Sequence, residues 1–169
     1  MKSSIPLIGL ALCLALSCKK SSTTEPEITK DPVITVQTNL NNEVMLKLVN
    51  DTRASGCNCG TTVMPPVPTL TWNNQLAAAA AGHSKYMASA NIMTHASADG
   101  KTFADRITAA GYVWTTAGEN VAQGQTTEAQ VFNDWIKSED HCKNIMNAKF
   151  KDMGVARQGN FWTQDFASK

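Results

Sequence analysis

Gly118-Glu119-Asn120-Val121-Ala122-Gln123-Gly124 is the stretch whose reading decides the fold. It holds one carboxylate between two glycines and turns apolar after Asn120, the pattern of a loop running into a short strand. Upstream stands His95, in Met93-Thr94-His95-Ala96-Ser97. Downstream stands His141, in Ser138-Glu139-Asp140-His141-Cys142-Lys143-Asn144-Ile145-Met146. The chain has only 3 histidines, so two of them flanking this segment mark it as a candidate site.

Toward the C-terminus, Thr126 or Thr127 with Glu128 opens a helix whose inner face reads as Ala129, Phe132, Trp135 and Ile136. That helix ends near Ser138, and His141 to Met146 reads as a short separate turn. Gly154 to Gln158 and Phe161 to Phe166 flank Gly159-Asn160, a two-residue loop with glycine first, as a type II′ hairpin requires.

Toward the N-terminus, Tyr112-Val113-Trp114 is extended or strand-like. Thr102 caps a short helix through Phe103, Ile107 and Ala110, closed by Gly111. A longer helix from about Asn74 to Ala90 carries Leu76, Ala79, Ala80, His83, Met87 and Ala90 along one stripe. Its run of alanines, 77 to 81, predicts close approach to another element. His83 on that stripe reads as a hydrogen-bonded core residue. Residues 55 to 69 read as a loop because of Pro65, Pro66 and Pro68, and a first helix runs from about Asn42 to Ala54 with Asn41 or Asn42 as its cap. Helices interleaved with a strand and a terminal strand pair imply an α+β fold, helices packed on an antiparallel sheet.

With 169 residues, 43% of them hydrophobic, the chain suits one domain with a real core. Its net charge of +1 gives no reason to expect a nucleic-acid partner. Lys2 precedes an apolar run from Ile5 to Leu16, the length of a signal-peptide core and too short to span a bilayer. The run ends in Ala15-Leu16-Ser17-Cys18 and resembles a bacterial lipoprotein signal in which the cysteine becomes the lipidated first residue. The alternative is ordinary cleavage near Ser17, with Cys18 left as a thiol. Residues 18–39 are rich in Ser, Thr, Lys, Glu and Pro and read as a disordered tether, with the folded domain over 40–169.

The motifs quoted above resemble, in their order, bacterial members of the CAP superfamily, the cysteine-rich secretory, antigen 5 and pathogenesis-related proteins with an SCP-like extracellular domain. They include His83-Ser84, Thr94-His95, Asp105-Arg106-Ile107, Ala110-Gly111-Tyr112, Glu119-Asn120-Val121, Trp135-Ile136-Lys137-Ser138 and Met153-Gly154-Val155. The resemblance implies a three-layer α-β-α sandwich with a central antiparallel sheet, in a secreted or surface-attached protein. It also implies a shallow cleft lined by His95, Glu119 and His141, with Asn120 beside them. Where eukaryotic members carry a second glutamate this chain has Ser138, and Glu139 follows about 100 degrees further round a continuing helix. The family's disulfide maps onto Cys59 and Cys142, with Cys57 as a competitor.

Two imidazoles and a carboxylate are the ligand set of several hydrolytic zinc sites, so His95, Glu119 and His141 are candidate ligands for a divalent metal such as zinc. The competing reading makes them a buried hydrogen-bonded network that pins loops to the sheet. Ser84, Ser97 and Ser138 lie near histidines in sequence but none sits in a nucleophile elbow. The expectation is an exported, lipid-anchored module in the bacterial envelope that binds a lipid, glycan or peptide. A metal-assisted hydrolase and a purely structural or host-interaction module are the alternatives.

Acylation at Cys18 would hold the domain on a membrane through its chains. The intact mass of protein extracted from membranes is expected to exceed that of residues 18–169 by its acyl groups. A soluble wild-type protein, or a mature mass without acyl groups, would overturn this.

Overall fold

The computed structural model describes Met1 and residues 35–169. The signal segment beyond Met1, Cys18 and most of the expected tether lie outside the described residues. Thr38 already belongs to the packed body: it is buried, and its carbonyl accepts a 2.9 Å bond from the Arg157 N–H.

Helix α1 (Asn42–Ser55) starts where the Asn41 side chain accepts from the Val44 N–H, and it stops at Gly56, whose φ of +76° a side chain would disfavour. The following segment, expected to be a loop, forms a small antiparallel hairpin of β1 (Cys57–Cys59) and β2 (Thr62–Met64). The prolines that suggested otherwise come after β2 and do not interrupt it. A two-residue strand, β3 (Thr71–Trp72), leads into α2 (Asn74–Ala90), capped by the Asn73 side chain and ended by Asn91 in the left-handed region.

Helix α3 (Phe103–Ala109) has a reciprocal capping box between Thr102 and Asp105. Tyr112 to Trp114 remain unpaired, and β4 (Thr116–Gln123) then runs as one strand through both Gly118 and Glu119. The expectation of a loop at Gly118 is thereby corrected. Gly118 is there for space, since a Cβ would stand 2.8 Å from the Phe150 ring. Helix α4 (Glu128–Lys137) buries Val131, Phe132 and Trp135, with Ala129 exposed contrary to the helical-face reading. After α5 (Glu139–Ile145), β5 (Asp152–Gln158) and β6 (Phe161–Ser168) form the expected hairpin, with φ +59° at Gly159.

The main sheet has the order β3-β5-β6-β4, antiparallel except for β3, which pairs parallel to β5. Alternation along the strands sorts the core onto two faces. Met153, Val155, Trp162 and Phe166 pack with Met45, Val49, Trp135 and Ile145 from α1, α4 and α5. On the other face, Ala167 packs with Leu76 and Ala79 of α2 and Ile107 of α3. The result is the three-layer α-β-α sandwich. Among the described residues no helix is long and apolar enough to cross a membrane.

Buried Arg53 ties the first of these helical layers together. It donates to the carbonyls of Pro68, Ile145, Asn147 and Phe150, and burial lowers its pKa to about 10, so it remains charged at neutral pH. On the opposite face the close approach forecast by the alanine run is present at Gly154 of β5. A Cβ there would overlap the backbone of Leu76 and Ala77 in α2.

Gly154→Ala is accordingly expected to force helix from sheet and lower the unfolding free energy by about 3 kcal/mol or more. Gly82, mid-helix in α2 with nothing within 4 Å of where a Cβ would stand, is the control. Gly82→Ala should stabilise by about 0.5–1 kcal/mol through helix propensity. Urea denaturation of both variants checks the contrast, and similar effects at the two glycines would refute it.

Candidate functional site

Strand β4 is a free edge of the main sheet, and the site is built on it. Because Glu119 and Asn120 are neighbours in a strand, they point to opposite faces. Glu119 pairs in register with Asp165 of β6, which itself stands opposite Gly154, the residue in contact with α2. Its carboxylate therefore lies on the side of α2 and α3. Its side chain is 0% exposed.

Both carboxylate oxygens are occupied. His95 Nδ1, from the loop after α2, is 2.8 Å from Oε1, and Arg106 Nη2, from α3, is 2.5 Å from Oε2. Arg106 Nη1 also donates to the His95 carbonyl and to Ser97 Oγ, both at 3.0 Å, so one guanidinium holds the carboxylate and the loop that carries His95. The His95 side chain is 56% exposed. Facing a carboxylate, its Nδ1 carries the proton, and this hydrogen bond is the foremost reason its pKa is raised.

His141 comes from α5 in the opposite layer. Its pKa is lowered, first by burial and then by the charge of His95. Asn120 is fully buried beneath it. The Asn120 amide donates to the His141 carbonyl at 3.1 Å and to Gln164 Oε1 at 3.2 Å, while its oxygen accepts from Asn144 at 2.9 Å. Its place is structural support rather than the cleft wall. Glu139 does not join the cluster either. The chain turns at Ser138 (φ −87°, ψ 120°), ending α4, and Glu139 starts a new helix in which it pairs with Lys143 at 2.5 Å.

His83 is fully buried, with Nε2 2.7 Å from the Thr94 carbonyl, the hydrogen-bonded core residue expected from its stripe. Ser84 donates to the Ala156 carbonyl and Thr163, and among the described residues no serine hydroxyl bonds an imidazole. As a metal ligand Glu119 would have to share its carboxylate with His95 and Arg106 while its side chain is 0% exposed. Among the described residues, the group of three ligand-type side chains whose donor atoms all lie within 4.8 Å of one another is Cys57, Cys59 and Cys142. Two of these, Cys59 and Cys142, form the disulfide that the resemblance implied.

Sequence reasoning assigned no role to Arg106 and passed over Asp165. Asp165 is 0% exposed, and neither of its oxygens has a hydrogen-bond partner. Burial, and then the charge of Glu119, raise its pKa well above that of an ordinary carboxyl. The signal was a single acid within the buried run Phe161-Trp162-Thr163-Gln164-Asp165-Phe166. Shallow hollows flank the site. One of about 250 Å³ is lined by Met93, Val121, Trp135, Ser138 and His141 among others, and one of about 190 Å³ by His95, Ala96, Thr102 and Phe103. A larger, polar hollow of about 410 Å³ between Gly124 and Lys137 contains no histidine.

Residues 46–166 match the model of the CAP, or cysteine-rich secretory protein, family. The chain belongs to that family. It is 38% identical over 96 residues to YkwD of Bacillus subtilis, a match covering 56% of this chain and 37% of that protein. A crystallised extracellular protein containing an SCP domain from Bacillus anthracis aligns at 31% identity with TM-score 0.67, over 75% of this chain and 40% of the other. The chain thus spans about two fifths of the length of these relatives. An outer surface protein of Borrelia burgdorferi shares the fold at TM-score 0.62 and 17% identity, over 75% of this chain and 91% of that one.

The buried acid makes a pH prediction. A carboxyl whose folded pKa is raised contributes its full stability below its unfolded pKa, near about 4, and loses it as pH rises toward the folded value. An amide in its place would be neutral at every pH. The stability of Asp165→Asn relative to wild type is therefore expected to improve from pH 4 to pH 7. Urea denaturation at the two pH values decides; a relative stability that worsened from pH 4 to pH 7 would overturn the raised pKa of Asp165.

Proposed function

We propose that this CAP domain is an exported binding module that takes a lipid, glycan or peptide along the β4 edge, with His95 as its polar contact. The observation that carries this reading is the His95 ring, more than half exposed yet fixed through Nδ1 on a buried carboxylate. Apolar hollows lie beside it and beside His141. Such an arrangement orients one polar group next to apolar surface, as small-ligand sites do. The hollows are below the usual volume of about 300 Å³ for an enclosed ligand, so they suit part of a chain, a sugar or a side chain. Hydrolysis is less well served, because the Glu119 side chain is buried and its charge is already paired with Arg106. Export rests on the signal-like N-terminus and on the extracellular and outer-surface descriptions of the solved relatives.

Mass spectrometry of compounds co-purifying with the protein tests the proposal. Wild type should retain a lipid, glycan or peptide that His95→Ala loses by about tenfold or more, the equivalent of one lost polar anchor of roughly 1.4 kcal/mol. Zinc calorimetry in parallel should give equal, negligible heats for both. No retained compound above a control protein, or saturable zinc binding abolished by His95→Ala, would overturn it.

A further inference from the structure

We propose that Cys57, Cys59 and Cys142 form a three-thiolate site for a soft divalent ion such as zinc once the Cys59–Cys142 disulfide is reduced. Cys57 and Cys59 stand at i and i+2 on β1, so both face the same way, toward α5, which supplies Cys142. The three Sγ atoms lie within 4.8 Å of one another. Cys57 Sγ is 3.7 Å from Cys142 Sγ, close to the separation of about 3.8 Å that two tetrahedral zinc–sulfur bonds of about 2.3 Å impose.

In the oxidised protein two of the three sulfurs are bonded to each other and have no thiolate to offer. Reduction changes this. A dithiol reductant delivers two electrons and two protons, the Cys59–Cys142 bond breaks to give two thiols, and the reductant closes its own disulfide. Zinc then displaces the three thiol protons, which pass to water. Cys59 and Cys142 are fully buried and Cys57 is only partly so, which leaves the Cys57 side as the approach for the ion and for a water in the fourth position. Cys57 otherwise lacks a role, since it takes no part in the disulfide.

The test uses the full chain carrying Cys13→Ser and Cys18→Ser, so that the domain's cysteines are its only thiols. Cobalt(II) is titrated in with and without a phosphine reductant. The reduced protein is expected to bind one equivalent with thiolate-to-cobalt charge-transfer absorption that zinc abolishes, and the oxidised protein none. Cys57→Ser should remove roughly a third of that absorption and weaken binding at least about tenfold. No saturable binding by the reduced protein, or a Cys57→Ser variant indistinguishable from it, would overturn the site. Should reduction melt the domain, near-ultraviolet circular dichroism replaces absorption as the readout. Recovery of the native signal with one equivalent of zinc, lost in Cys57→Ser, supports the site, and no recovery overturns it.

Discussion

A single buried negative charge organises one side of this molecule. Glu119 sits in the middle of a strand with no access to water, where an unpaired carboxylate would cost several kcal/mol. Its compensation comes from two other elements: Arg106 on α3 and His95 on the preceding loop. Arg106 is 11% exposed and therefore depends on Glu119 in turn. Removing either partner leaves the other as an uncompensated buried ion, so α3, the loop and β4 are bound to one another by charge as well as by apolar contact. Asp165 completes the logic. Beside the Glu119 charge, burial pushes the pKa of this second carboxyl up, so ionising it competes with ionising Glu119.

The strand geometry then decides which groups can meet. Parity sends Glu119 and Asp165 toward α2 and α3, and Asn120 and Gln164 toward α5. An edge strand also leaves backbone groups without a strand partner. Here side chains take two of them: Trp135 Nε1 donates to the Val121 carbonyl at 3.3 Å and Asn144 Nδ2 to that of Glu119 at 3.2 Å. The edge is thus closed to a further strand at these positions while the hollows beside the histidines stay open.

How much of this was legible follows from the range of the signals. Local capping and periodicity gave α1 and α2 to within a residue, because Asn41, Asn73, Gly56 and Asn91 act on their immediate neighbours. The hairpin at Gly159 was legible for the same reason. Strands β1 and β3 were not, since two or three residues carry no period and β3 exists only through its parallel partner β5. Gly118 suggested a loop because its true cause, the Phe150 ring, lies far along the chain. His95 and Glu119 were legible as a candidate site from the few histidines around the Gly118 to Gly124 segment, while the Cys59–Cys142 pairing was visible only through the family resemblance. The Glu119–Arg106 pairing was not, because nothing local to Arg106 tells whether its charge is solvated or buried.

Helix α5 shows why the cleft and the cysteine corner belong to one mechanical unit. At seven residues it is too short to be stable alone, so the position of His141 depends on its tertiary ties. Those ties include the Cys142 disulfide to β1, the Asn120 bond to the His141 carbonyl, the Asn144 bonds to Glu119 and Asn120 of β4, and the Arg53 bond to the Ile145 carbonyl. The hydrogen bonds are worth about 1 kcal/mol each, more where the donor is charged. The disulfide closes a loop across 83 positions and contributes about 4 kcal/mol in the chain-entropy account. The covalent tie is therefore the strongest single one, and it is made by the residue next to His141.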